Sequence, residues 1–309
     1  MRPHYHRAVI AEDAKDIRSA SFPEVTIGYE IDGLAKGIPI VLLHGFPDSP
    51  RTWDGVIGPL ISSGFLAIRP YIRGHGPTVV NPDYTISAET SALASDVLLL
   101  TDFLGIREFH LVGSDWGSRA AYALAALYPD RVISIVSLGT GYNEATPVIE
   151  LSMEQITSFW YQWFFLTDHG GTMLRERTVP LCRHIWCAWS PRWNFSDDEF
   201  SQAAVAFSNP QFVETVLHYY RYRWGIVPGS ARHRPSQSRV ESMPGIVVPT
   251  THIQGLDDWC TRPETARRWN SYIRDYRMVE LAGVGHFPQR EVPEKVVQEI
   301  LTTVRQARR

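Results

Sequence analysis

Asp115 stands at the apex of Leu111-Val112-Gly113-Ser114-Asp115-Trp116-Gly117-Ser118, a glycine frame of the G-x-S-x-G type with a carboxylate in the central place. An apolar run (Phe109 to Val112) precedes it and a helical one (Arg119 to Tyr128) follows. That context suits a strained strand-to-helix turn that lifts the central residue into a site. A serine there would mean acyl transfer. A carboxylate there attacks saturated carbon and becomes an alkyl ester that water must cleave. The letter at 115 therefore turns the reading from esterase toward epoxide or carbon–halogen hydrolysis.

Three further motifs supply what such a nucleophile needs. His44-Gly45-Phe46-Pro47-Asp48 follows the apolar run Ile40 to Leu43 and can offer the Phe46 backbone N–H to an oxyanion, with His44 itself structural beneath the turn. The Trp116 N–H, next after the nucleophile, is the expected second donor. Gly283-Val284-Gly285-His286-Phe287-Pro288 places a histidine in a glycine-flanked loop near the C-terminus, fit for a general base. Gln254-Gly255-Leu256-Asp257-Asp258-Trp259 offers two carboxylates that could orient it; the G-x-x-D spacing selects Asp258, with Asp257 as competitor.

The elements around these motifs have a parallel-sheet rhythm: strands at Ile38 to Leu43, Phe65 to Arg69, Phe109 to Val112 and Val132 to Leu138, with a helix over about Ala88 to Leu104. From about Tyr142 to Arg239 the chain becomes rich in Trp, Tyr, Phe, Arg and His, in helical patches broken by Pro180, Pro191, Pro210 and Pro228. Strand character resumes at Gly245 to Ile253. A helix over Glu264 to Ile273, a strand near Arg277 to Leu281 and a last helix over Val292 to Gln306 then follow. The pattern predicts a core of residues 1–141 and 240–309 split by a helical cap at 142–239.

A chain of 309 residues accommodates one such domain, and a net charge of −3 without a basic run speaks against a nucleic-acid partner. No apolar window of membrane-spanning length occurs, Met1 to His6 has no signal-like core, and three cysteines make no disulfide framework, so a cytoplasmic location is the default. Cys182-x-His184-x-x-Cys187 lacks a second ligand pair and reads as packing, so no metal and no cofactor are expected. A small hydrophobic molecule is the expected partner, and a homodimer is left open.

The order nucleophile, acid, histidine is that of the α/β-hydrolases. Over nearly its whole length the chain resembles the epoxide hydrolase and haloalkane/haloacetate dehalogenase branch of that superfamily. His44-Gly45-Phe46-Pro47, Gly113-x-Asp115-Trp116-Gly117 and Gly283-x-Gly285-His286-Phe287 carry the resemblance. It implies an α/β fold with a mostly parallel eight-stranded sheet, flanking helices and an inserted cap. It also implies an Asp115–His286–Asp258 triad.

Within the branch, Phe159-Trp160-Tyr161-Gln162-Trp163-Phe164-Phe165 and His218-Tyr219-Tyr220-Arg221-Tyr222 resemble the epoxide hydrolase segments that supply two ring-opening tyrosines. The matches are Tyr161 and Tyr220, with Tyr219 and Tyr222 as competitors on the same helix. Haloalkane dehalogenases place asparagine where this chain has Phe46. Haloacetate dehalogenases place two arginines after the nucleophile, of which only Arg119 is present, a candidate carboxylate anchor or a structural ion-pair partner. Trp116, Trp160, Trp163 and Phe46 are expected to line an apolar pocket. The resemblance thus favours epoxide hydrolysis, with dehalogenation as the alternative and a non-hydrolytic ligand-binding or biosynthetic protein as a third reading.

Overall fold

The computed structural model describes residues 17–142, 147–267 and 270–307. The N-terminal hexapeptide and the first sixteen residues of the expected core lie outside that range. Among the described residues nine strands form one sheet: β1 (Arg18–Ser21), β2 (Val25–Asp32), β3 (Ile38–Leu43), β4 (Phe65–Pro70), β5 (Val79–Val80), β6 (Phe109–Ser114), β7 (Val132–Leu138), β8 (Thr250–Gly255) and β9 (Tyr276–Leu281). Their order is β1-β2-β4-β3-β6-β7-β8-β9, with the two-residue β5 paired to β2. From β4 to β9 every pairing is parallel; β1, β2 and β5 join antiparallel.

The helices α1 (Asp54–Ser62), α2 (Thr90–Phe103) and α3 (Trp116–Leu127) come before the seventh strand. Between β7 and β8 run α4 (Met153–Ser158), α5 (Trp160–Phe165), α6 (Asp168–Glu176), α7 (Thr178–Trp189), α8 (Asp197–Ala204), α9 (Phe212–Arg223) and α10 (Arg234–Glu241). The chain closes with α11 (Pro263–Arg267), α12 (Pro288–Glu291) and α13 (Pro293–Ala307).

The central strands are apolar on both sides because both sides are covered. Ile40 and Leu42 of β3 pack with Val56 and Leu60 of α1 and with Val296 and Ile300 of α13. The alternate residues Val41 and Leu43 join the opposite core, with Leu111 and Ala120 to Leu124 of α3. Each fully buried aliphatic side chain of this kind contributes about 1.5–3 kcal/mol. Strand order reverses between β3 and β6, whose register pairs Leu43 with Gly113. Loops leaving the carboxyl ends of two such strands diverge and open a crevice, so His44-Gly45-Phe46 and Asp115 emerge side by side at that point.

Some local expectations needed revision. The antiparallel β1 and β2 stand outside the expected strands, although Val25, Ile27, Tyr29 and Ile31 alternate strictly with Thr26, Gly28, Glu30 and Asp32 along β2. Strand β8 begins at Thr250 rather than Gly245, and Ile246 makes only an isolated bridge to Ile273. Pro244 and Pro249 have no N–H to give to a ladder. Helix α11 covers Pro263–Arg267 and a 3₁₀ turn covers Asn270–Tyr272, where one α-helix to Ile273 was expected. Pro180 does not break a helix: it lies in the first turn of α7, where backbone N–H groups have no intrahelical acceptor.

A buried ion network ties the sheet to the helices between β7 and β8. Arg73, fully buried, pairs bidentately with Asp96 of α2 at 2.7 and 2.8 Å and with Glu24 at 2.7 Å. Glu24 also contacts His233 Nε2 at 2.9 Å. Burial alone would raise the Glu24 carboxyl, but His233 and Arg73 hold it at about 2, from an ordinary 4.5. This part of the stability is therefore in place above pH 4.5 and is lost as the pH falls toward 2; Asp96, raised by burial, offsets some of it. Arg73→Met would strand both carboxylates. It is expected to cost about 3–5 kcal/mol, read as a lower urea midpoint, and an unchanged midpoint would refute the network's role.

Candidate active site

Asp115 occupies the turn between β6 and α3 at φ 52°, ψ −117°, a left-handed conformation that a non-glycine residue adopts at a cost of about 1–2 kcal/mol. The turn is over-determined. Its N–H donates to Leu138 O at 3.1 Å, and its carbonyl accepts from Ser118 N at 2.9 Å. Gly117 permits the tight approach of α3 to β3: a Cβ there would lie 2.2 Å from Leu43 O. The carboxylate thus points out of the sheet toward the loop after β3, where the Phe46 N–H donates to its Oδ1 at 2.9 Å. A backbone donor held against this oxygen is positioned for charge that develops there.

His286 reaches the same carboxylate from the loop after β9. Its Nε2 lies 3.6 Å from Asp115 Oδ2, too far for a hydrogen bond, and has no hydrogen-bond partner among the described residues. Its Nδ1 contacts Asp258 Oδ2 at 2.8 Å. Asp258 is itself fixed: Oδ1 accepts from Cys260 N at 2.7 Å and Thr261 N at 2.9 Å, and Oδ2 from Gln254 Nε2 at 3.3 Å. Burial disfavours the imidazolium, but the adjacent Asp258, then Cys260 and Asp115, outweigh it and raise the His286 pKa well above its usual value. Asp257, by contrast, faces away and pairs with Arg192 at 3.0 Å.

The histidine loop is braced by residues that sequence reading missed. Ser190 Oγ accepts the His286 N–H at 2.8 Å and donates to Glu291 Oε1 at 2.8 Å. Glu291 also accepts the N–H groups of Gly285 at 2.8 Å and Phe287 at 3.1 Å. Gly139 (φ 67°) ends β7 against the imidazole, where a Cβ would come 3.0 Å from Nδ1. The Gly139-Thr140-Gly141 run after a strand was the available signal for the last; the Ser190–Glu291 brace is long-range and had none.

Above Asp115 lies a closed aromatic shell. Phe46 packs edge-on to Phe165, Trp189 and Tyr220 with centroids 6.0–6.3 Å apart. Trp189 stands 4.8 Å from both His286 and Tyr161, and Tyr161 lies 5.3 Å from Tyr220 at 90°. Both phenols are fully buried, and burial first, with the charge of Asp115 in addition, keeps them protonated far above neutral pH. Gln162 Nε2 donates to the Tyr161 hydroxyl at 2.8 Å, its own amide oxygen held by Trp224 Nε1 at 3.0 Å. The Trp116 indole N–H donates to the Tyr220 hydroxyl at 3.3 Å. With an acceptor site filled on each oxygen, the phenolic protons can turn to other partners, the Tyr161 hydroxyl lying 3.3 Å from Cys260 Sγ.

The remaining expected residues fall around this centre. Tyr219 stacks on Trp116 at 4.3 Å and donates to Arg73 O, while Tyr222 lies on another face of α9 and bonds Glu241. Arg119 is buried with its guanidinium 5.3 Å from the Trp116 ring centroid. Trp160 packs on Tyr161 and His184; Trp163 bonds Ile156 O and packs on Trp224. Ser114 Oγ accepts from Gln289, away from His286. His44 is buried and pushed down to about 4 by desolvation, with Nε2 accepting the Ile72 N–H, so it is a neutral support under the turn. On α7, Cys182 is buried while His184 and Cys187 are exposed, and they converge on no common point.

A model of the α/β-hydrolase fold family matches residues 38–292. The chain belongs to that family. Among solved structures this α/β hydrolase is similar to a candidate epoxide hydrolase from Klebsiella pneumoniae, at 33% identity and a TM-score of 0.88 over 94% of this chain and 97% of that one. It is 25% identical to the AB hydrolase superfamily protein YfhM of Bacillus subtilis, over 90% of this chain and 93% of the relative. It is 29% identical to bifunctional epoxide hydrolase 2 of Sus scrofa over 85% of its own length, which spans half of that larger protein. It is thus an epoxide hydrolase-like α/β hydrolase. No helix among its described residues is long and apolar enough to cross a membrane.

Proposed function

We propose that this protein hydrolyses a hydrophobic epoxide to a vicinal diol, with residues 142–239 acting as the cap that holds and activates the substrate. The observation that carries this reading is the convergence of two neutral, buried phenols, Tyr161 and Tyr220, over the Asp115 carboxylate. The similarity to the Klebsiella pneumoniae protein supports it.

Asp115 attacks one epoxide carbon from behind, the C–O bond breaks, and Tyr161 and Tyr220 hydrogen-bond the oxygen, one of them passing it its phenolic proton. Forming the ester consumes the negative charge of Asp115, which had helped hold the proton on His286. The imidazole then gives up that proton, which re-protonates the phenolate, and serves as base for a water attacking the ester carbonyl. The Phe46 and Trp116 N–H groups hold the oxyanion, Asp258 stabilises the re-formed imidazolium, and collapse releases the diol. The aromatic shell of Phe46, Phe165 and Trp189 suits an apolar substituent on the substrate.

Carbon–halogen cleavage is served less well, because the Trp116 indole N–H that would bind halide is already directed at Tyr220. The test is paired substitution. Tyr161→Phe and Tyr220→Phe are each expected to lower kcat/KM for an aryl epoxide by on the order of 10-fold or more, and together by on the order of 10²–10⁴-fold. Halide release from a haloacetate that both variants leave untouched, with no epoxide turnover by the native protein, would sink the reading.

A further inference from the structure

Cys260 has no part in the chemistry above, yet its thiol lies inside the site. Asp115, Cys260 and His286 are all buried and present a carboxylate oxygen, a sulfur and a ring nitrogen within 4.8 Å of one another. The His286 Nε2 is fully buried, directed at this point and without a hydrogen-bond partner among the described residues. We infer that these three side chains form a binding site for a zinc-class divalent cation, which shuts the enzyme off by occupying its nucleophile and its base together.

The donor set is what selects the metal. Thiolate, imidazole and one carboxylate suit a borderline-soft ion, whereas magnesium and calcium prefer oxygen alone. Bond lengths of about 2.0–2.3 Å place tetrahedral ligand atoms roughly 3.3–3.7 Å apart. The 3.6 Å between His286 Nε2 and Asp115 Oδ2 is already of that size. The outer supports are present too. With Asp258 accepting from His286 Nδ1, loss of the other ring proton bares the Nε2 lone pair to the metal, and a carboxylate behind a ligating histidine is the usual second contact.

The Cys260 N–H is anchored on Asp258 Oδ1, and Tyr161 OH lies 3.3 Å from the sulfur, placed to donate to a thiolate. On binding, the S–H proton leaves to solvent and a metal–sulfur bond forms, together with any proton that His286 carries. No redox change is involved. Three protein ligands leave a fourth position for water.

Cobalt(II) and zinc(II) are the probes. Cobalt added to the metal-free full chain is expected to bind one equivalent and give a thiolate-to-cobalt charge-transfer band. That band is absent in Cys260→Ala and in Cys260→Ser, which keeps the side-chain volume should the alanine variant not fold. Zinc should abolish turnover of the native protein reversibly, with chelator restoring it. Each variant, compared with its own metal-free rate, should need on the order of 10–100-fold more zinc.

Binding without the sulfur band, or equal zinc sensitivity in the variants, overturns the site. A cobalt band with turnover unaffected by stoichiometric zinc overturns the inhibitory role. That role rests on the proposed Asp115–His286 chemistry, whereas the cobalt band does not, so a failure of the epoxide reading would leave the spectrum unchanged.

Discussion

Replacing Asp115 with asparagine is expected to lower epoxide turnover by on the order of 10⁴-fold or more while leaving the fold intact. Asparagine has nearly the same shape and is one of the few side chains that tolerates the φ of 52° at the elbow. What it removes is the anion. An amide cannot open an epoxide ring at a useful rate, and the Phe46 N–H still finds an oxygen to bond, so no buried donor is orphaned. The loss should appear in kcat with thermal stability close to native. If Asp115→Asn retains more than a hundredth of native turnover, the nucleophile lies elsewhere.

His286→Gln is expected to separate the two half-reactions. Ring opening needs Asp115 and the phenols, so the ester still forms. Its hydrolysis needs a base for water, whose absence slows that step by about 10²–10⁴-fold. The alkyl-enzyme should accumulate, and intact-protein mass should rise by the full mass of the epoxide, on the peptide containing Asp115. An adduct lacking a halogen atom from a haloacetate, with none from epoxides, would move the assignment to carbon–halogen cleavage. Glutamine also keeps a donor toward Asp258, which limits the structural cost at a site where Asp258 otherwise loses a contact at 2.8 Å.

Of the site, the parts legible in sequence are those fixed by short motifs. The Gly113-x-Asp115-x-Gly117 frame encodes its own backbone, because close approach to Leu43 O excludes any side chain at Gly117. The Gly255-x-x-Asp258 spacing selected the residue now 2.8 Å from His286, and Asp257 turned outward to Arg192. Trp160 and Trp163 show the opposite case. Every aromatic in an irregular helical segment looks alike in sequence, and packing placed Phe165 and Trp189 against Phe46 instead. Cys260, two residues from the acid, had no signal, since its meaning depends on how close its sulfur lies to two groups distant in the chain.

The sequence by itself determined the fold family and the residues proposed as nucleophile, base and oxyanion turn, because each is written in a local motif whose glycines and strand context permit little else. The tertiary structure alone decided which aromatics close over Asp115, how Ser190 and Glu291 steady His286, and that a thiol shares the site. Those depend on contacts between segments about a hundred residues apart, which pattern does not encode and only packing resolves.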